Sequence, residues 1–280
     1  MDLQEIAESF GLADVSGVSR MHSGHINSTF CVTCSSGRYV MQNVNKNIFA
    51  DPKMVMRNIS RIETAFRGEE MIAIPDYLSC GGRNYAELDG EIWRIYRYIE
   101  ECPKSDDRSF VHGYAVGRFL KVVNSREIGL ETPVSLHRFD LNLPLRNIHG
   151  DTKADNIIFG KKITVIDLDT AMPGYICADY GDMIRSATAK SFDLRVIRQA
   201  TEGFADGLGG ILTTEEIESL CSGIELVIQE LAGRYRGGNK NFPDKTEAEC
   251  LVRKDELTAQ LAKFRERRCE IQEIINTCFA

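Results

Sequence analysis

The stretch Ile148-His149-Gly150-Asp151-Thr152-Lys153-Ala154-Asp155-Asn156-Ile157-Ile158-Phe159-Gly160, with Val165-Ile166-Asp167-Leu168-Asp169-Thr170 five residues later, decides how this chain is read. Asp151, Asp155, Asn156, Asp167 and Asp169 crowd between short runs of Val, Ile and Phe of the kind that build strands. Carboxylates this close repel one another unless something positive sits among them, and a divalent cation is the obvious candidate. The runs at 157–159 and 163–166 predict a hairpin around Gly160-Lys161-Lys162. Closing it brings Asn156 and Asp167 together from its two ends, with Asp151 on the loop just before.

Magnesium takes oxygen ligands and needs only one or two from the protein when phosphates and water supply the rest. Asn156 and Asp167 fit that requirement. A carboxylate nearby but not on the metal, such as Asp151, can orient a substrate hydroxyl and accept its proton during phosphoryl transfer. Lys153 is either a contact to the transferring phosphoryl oxygens or a solvated loop lysine. His149 is expected to prop the loop by hydrogen bonds. Asp169 either serves a second metal or caps the loop before Met172-Pro173-Gly174, and Asp155 is a solvated neighbour. The competing reading, a polar loop tied by Asx turns, explains any one of these residues, but not the joint spacing of His149, Asp151, Asn156 and Asp167 between strands.

Working outward, the stretch lies in a chain of 280 residues, 43% hydrophobic, enough for one large domain or two modest lobes. Against 34 Lys and Arg stand 41 Asp and Glu, for a charge of −7. That balance argues against a nucleic-acid backbone as partner. No run approaches the roughly 18 apolar residues that span a bilayer. The start shows helical spacing of Leu3, Ile6, Phe10 and Leu12 without a basic, then apolar, leader. The expectation is a soluble, cytoplasmic protein that binds neither nucleic acid nor membrane. Nine scattered cysteines predict no disulfide framework, and Cys31-x-x-Cys34 lacks a second pair, so it reads as two small strand residues.

Strands are predicted at 28–33, 38–44, 85–88 and 91–99, with hairpin turns at Ser35-Ser36-Gly37 and Leu88-Asp89-Gly90. A helix opens at Asp51-Pro52 and offers Met54, Ile59, Ile62 and Phe66 on one face. Beyond residue 99 the pattern turns helical. It includes a helix over 111–123, another opened by the capping box Thr213-Thr214-Glu215-Glu216, and a single long helix over 246–276. The plan is α+β: an antiparallel sheet lobe at 1–98 with one inserted helix, then a larger helical lobe at 99–280. Between two early strand-like segments, the turn of small and polar residues from Met21 to Phe30 can present backbone N–H groups to phosphates.

At these residues the chain resembles the aminoglycoside phosphotransferase and choline kinase superfamily, on His149-Gly150-Asp151 through Asn156 and on Ile166-Asp167-Leu168-Asp169. It looks closest to the N-acetylhexosamine 1-kinases. That closeness is carried by Ser23-Gly24-His25-Ile26-Asn27-Ser28-Thr29-Phe30, Tyr39-Val40-Met41-Gln42-Asn43, Met56-x-Asn58-Ile59, Trp93-Arg94-x-Tyr96-x-x-Ile99-Glu100, and Asp179-x-Gly181-Asp182-x-Ile184-Arg185. The resemblance implies a two-lobed protein-kinase-like fold binding ATP and Mg2+ between the lobes. Phosphates would lie under the loop containing Ser23, Gly24, His25 and Asn27, with adenine near Tyr98 to Glu101, beside Glu100. Asp151 would be the base, Asn156 and Asp167 the metal ligands, and Asp182 and Arg185 would face the acceptor. One departure stands out: where protein kinases carry a strand lysine for the phosphates, this chain has Gln42.

The expected activity is therefore transfer of the γ-phosphate to a hydroxyl of a small molecule, foremost the anomeric hydroxyl of an N-acetylhexosamine. Other acceptors in the same class are a different sugar, a choline-like amino alcohol, homoserine or an aminoglycoside. From another class, Gln42 leaves open a nucleotide-binding regulator without catalysis.

Overall fold

The computed structural model describes residues 2–21, 26–102, 108–136, 139–236, 242 and 245–280. A short helix α1 (Leu3–Ser9), capped by the Asp2 side chain, precedes strands β1 (Val15–Met21), β2 (Ser28–Cys34) and β3 (Gly37–Asn43). Helix α2 (Pro52–Ala65) follows, capped by the Asp51 side chain with Pro52 in its first turn, where a missing N–H costs nothing. Next come the two-residue strand β4 (Ile72–Ala73), then β5 (Ala86–Leu88) and β6 (Glu91–Arg97). These strands, β4 excepted, form one antiparallel sheet in the order β1-β2-β3-β6-β5. The β5–β6 turn places Asp89 and Gly90 at positive φ, the conformation that makes Asp-Gly a hairpin signal.

Because strand side chains alternate between faces, the sheet has two different surfaces. Tyr39, Met41, Trp93 and Ile95 pack outward under α1 against Ile6, Ala7 and Phe10. Val40, Val44, Ile92 and Tyr96 point the other way and join a larger core with α2 and the helices that follow. Gln42 and Arg94 share this inner face and stand opposite each other in register.

After the sheet come α3 (Arg108–Asn124), β7 (Arg146–Ile148), β8 (Ile157–Phe159), β9 (Ile163–Val165) and β10 (Met172–Gly174). The predicted hairpin is present as β8 paired with β9, and β4 adds to it in parallel, so a strand from the first hundred residues completes this small sheet. Helices α4 (Ile176–Ala187), α5 (Leu194–Leu208) and α6 (Thr214–Arg236) follow, and the capping box at Thr213 is formed with Glu216. The single helix expected over 246–276 is instead two, α7 (Glu247–Glu266) and α8 (Arg268–Cys278), broken at Arg267 where ψ swings to 18°. No glycine or proline marks that break. It lets Leu257 and Phe264 of α7, and Ile271 and Ile275 of α8, all reach the same core. No helix among the described residues is long and apolar enough to cross a membrane.

Candidate active site

The loop between β7 and β8 is held from four sides. The two oxygens of Asp179, in the first turn of α4, accept from the backbone N–H of His149 and of Gly150, at 2.7 and 2.8 Å. His149 Nε2–H donates to the carbonyl of Ile166 at 3.0 Å, and Thr170 Oγ1 donates to the carbonyl of His149 at 2.9 Å. His149 is thus committed to structure, as expected of a prop. Gly150 lies at φ 82°, and a Cβ there would stand 2.6 Å from the Thr170 carbonyl, so only glycine fits. From α3, buried His112 donates Nε2–H to the carbonyl of Thr152 at 2.8 Å, while Thr152 Oγ1 donates to Asp179 O at 2.6 Å.

This framework presents Asp151, whose Oδ2 receives Lys153 Nζ at 2.5 Å and Asn156 Nδ2 at 3.0 Å. Asn156 spends its amide nitrogen on Asp151, leaving its Oδ1 as a ligand oxygen. Lys153 would lose its proton more easily for being partly buried, but Asp151 and Asp167 outweigh that and hold it in the ammonium form. It therefore sits on the candidate base itself.

Asp167 occupies the left-handed region, φ 61° and ψ 54°, at the mouth of a 3-10 turn over Leu168–Thr170. Asp tolerates that conformation better than most residues. Among the described residues its carboxylate receives no hydrogen bond and no ion pair. Withdrawal from water, then the charges of Asp169 and Asp151, push it up to about 6 against the opposing pull of Lys153 and Arg94. Of three neighbouring aspartates, Asp151 is ion-paired with Lys153 and Asp169 with Arg94, so Asp167 is the one without an ion-pair partner among the described residues. Nor do three acid, histidine or cysteine side chains among those residues converge as a ready-made metal cage. The Asn156 and Asp167 oxygens could serve as two ligands, a number that suits magnesium better than zinc or calcium.

Asp169 is deeply buried. Its Oδ1 accepts from Arg94 Nη1 at 2.5 Å and its Oδ2 from Arg94 Nη2 at 3.1 Å and Asn27 Nδ2 at 2.7 Å. Gln42 belongs to the same network: its Oε1 accepts from Arg94 Nε and Nη2, at 2.9 and 2.7 Å. Burial alone would favour loss of the Arg94 proton, but Asp169 holds the guanidinium well above its usual range. Asp182 and Arg185 form a buried pair on α4 at 2.8 Å, within electrostatic reach of Lys153 and Asp151 respectively. Glu100 stands apart, exposed and paired with Arg38 on the outside of the chain crossing between sheet and helices. Ser23, Gly24 and His25 lie outside the described residues.

Sequence reasoning missed His112, the anchoring role of Asp179, the partner of Arg94, and Asn58. The last is a fully buried amide on α2 that donates to the carbonyls of Ala171 and Glu131 and so ties α2 to the loop that follows Asp167. Arg94 carried a usable signal, since a lone cation inside the buried run Ile92-Trp93-Arg94-Ile95-Tyr96 needs a buried anion.

Burial depresses the His112 imidazole below its usual 6.5. The unfolded chain therefore binds the proton more readily, and folding loses stability as pH falls from about 6.5 toward the lower folded value. We expect His112→Gln, which keeps an N–H donor without a titrating ring, to remove that component. The measurement is the difference in melting temperature between variant and wild type from pH 7.5 to 5, which should narrow as pH falls.

Residues 87–211, spanning this loop and most of the surrounding elements, match the sequence pattern of the phosphotransferase enzyme family. The fold recurs in distant solved structures. A microcompartment-associated aminopropanol kinase superposes with a TM-score of 0.69 at 13% identity, over 97% of this chain and 99% of its own. A spectinomycin phosphotransferase, solved with ADP and spectinomycin, gives 0.59 at 12%, over 99% and 98%. The choline kinase of Cryptosporidium parvum gives 0.57 at 11%, over 94% and 93%. The chain thus shares the fold of these kinases, and its residues 87–211 carry the pattern of the phosphotransferase enzyme family.

Proposed function

We propose that the protein is an ATP- and Mg2+-dependent kinase for a hydroxyl of a small molecule, and that its acceptor is a neutral sugar of the N-acetylhexosamine kind. The observation that carries the kinase reading is the division of cations among the aspartates. Asp151 and Asp169 are neutralised by the protein, while Asp167 is left beside a free Asn156 oxygen. ADP bound to a structure of the same fold supports ATP as donor. We place the boundary between a sheet lobe and a helical lobe at residues 98 and 99, with ATP between them.

In this reading Asp151 accepts the acceptor hydroxyl's proton and aligns its oxygen in line with the γ-phosphorus. Lys153, ion-paired with Asp151, would offset charge that develops on the phosphoryl oxygens. Asn156 and Asp167 would hold Mg2+, which when bound neutralises the phosphates and the charge that develops on the leaving oxygen. Ser23, Gly24, His25 and Asn27 would border the phosphates, and residues 98–101, Glu100 among them, the adenine.

Support for a neutral acceptor comes from α4. A cationic alcohol, such as the substrates that name the aminopropanol and choline kinases, calls for a carboxylate free of other cations, but the charge of Asp182 is cancelled by Arg185. A guanidinium and a carboxylate side by side match hydroxyls, which both donate and accept. The test is an ADP-release assay over N-acetylglucosamine, N-acetylgalactosamine, other sugars, choline, ethanolamine, aminopropanol, homoserine and spectinomycin. An N-acetylhexosamine should give the highest kcat/KM. A cationic alcohol in first place overturns the acceptor and leaves the kinase standing. Stabilisation by ATP–Mg2+ with no ADP release from any acceptor would favour the non-catalytic regulator.

A further inference from the structure

Gln42 and Arg94 face each other across β3 and β6 on the inner side of the sheet, and Arg94 is 1% exposed. Both ends of the Gln42 amide are engaged: its Oε1 takes two N–H bonds from Arg94, and its Nε2 donates to Thr29 Oγ1 at 3.2 Å. The other edge of the guanidinium grips Asp169 with two bonds. Asp169 in turn receives Asn27, whose own Oδ1 accepts the backbone N–H of Asn45 at 3.0 Å. One chain of hydrogen bonds, buried at the Arg94–Asp169 pair, thus runs from Asn27, just before β2, through that pair to the middle of the sheet.

A lysine at 42 would press a second cation against a guanidinium that cannot deprotonate. The glutamine is therefore the complement of Arg94, not a lysine that was lost. We propose that Arg94 is a positioning residue: it supplies the sheet's cation from the neighbouring strand, directs it at Asp169, and so withholds Asp169 from the metal and leaves Asp167 as the aspartate presented to it. This rests on the kinase reading above for its metal, though not for its geometry. It answers the question left open by Ile166-Asp167-Leu168-Asp169: the second acid is a structural anchor that docks the sheet and the residue 27 turn onto the metal-side loop.

Four variants test it, with ligand-free melting temperature and Mn2+ binding with ATP, counted by electron paramagnetic resonance, read beside kcat. Gln42→Lys should lower the melting temperature without any ligand and cut kcat by about 10–100-fold, the usual scale for groups that orient a metal site from behind. The double variant Gln42→Lys with Arg94→Gln should recover much of that melting temperature, because the introduced ammonium then faces Asp169 with a neutral amide as its neighbour. Asp169→Asn should still bind one Mn2+ per nucleotide complex, while Asp167→Asn should bind none. The proposal is overturned if Gln42→Lys is as stable and active as wild type, or if Asp169→Asn abolishes Mn2+ binding as Asp167→Asn does. Should Gln42→Lys fail to fold, the Asp169 and Asp167 pair carries the test by itself. Failure of the kinase reading is separable: the wild type would then bind no Mn2+–ATP and release no ADP, while the ligand-free rescue by the double variant would still be observed.

Discussion

Asp151→Asn is expected to lower kcat by about 10²–10⁴-fold, the range for a positioned general base, with affinity for ATP near that of wild type. The substitution is nearly isosteric, and the structure shows why it should be silent elsewhere. The loop's shape rests on Asp179, His149, Thr170 and His112, none of which bonds the Asp151 carboxylate. The side-chain oxygen that receives Lys153 and Asn156 persists as an amide oxygen. What is lost is the capacity to take a proton and the charge that holds Lys153. A thermal melt should therefore change little while single-turnover phosphate transfer collapses. Asp155→Asn, four residues on and exposed, is the internal comparison and should keep wild-type turnover. Undiminished activity in Asp151→Asn would remove Asp151 from the proposed mechanism.

The contrast between Asp151 and Asp155 shows what spacing alone can reveal. The hairpin β8–β9 is local, so the residues at its two ends are brought together by a turn that the residues themselves announce, and Asn156 and Asp167 can be placed from the sequence. The capping box at Thr213 and the Asp-Gly turn are legible for the same reason. The partners of Arg94, His112 and Asn58 are not, because they lie 75, 40 and 113 residues away. No periodicity in a single chain pairs a strand arginine with an aspartate in another sheet's loop. Gln42 illustrates the cost of reading a position by itself: alone it suggests a missing cation, and beside Arg94 it is the acceptor for one. The break at Arg267 was hidden because both halves share one helical period, and tertiary packing overrode a sequence with no local stop signal.

A second large effect is expected far from any charge, at the crossing of α3 and α5. Gly113 and Gly117 meet Gly203 and Gly207, and each would place a Cβ against backbone: 1.9 Å from the Ala200 carbonyl oxygen, 2.3 Å from that of Phe204, 2.0 Å from that of Phe110 and 2.4 Å from that of Tyr114. Side-chain rotation cannot relieve a contact with a carbonyl, so a single methyl must push the two helices apart. Gly203→Ala gains about 1 kcal/mol of helix propensity, yet overpacking of an interior costs about 1–3 kcal/mol and more when backbone must move. The net expectation is a loss of about 2 kcal/mol, or roughly 4–8 °C in melting temperature for a chain of this size. Gly233→Ala on α6 supplies the opposite sign, because nothing among the described residues lies within 4 Å of its added Cβ and the chain should gain about 0.5–1 kcal/mol. The crossing also reaches the chemistry. His112, which holds the Thr152 carbonyl, immediately precedes Gly113, so widening the gap between α3 and α5 displaces a support of the Asp151 loop. Gly203→Ala should thus lose kcat as well as stability at temperatures where it remains folded, whereas Gly233→Ala should lose neither. Equal stability in the two variants would mean that α3 and α5 do not meet backbone to backbone.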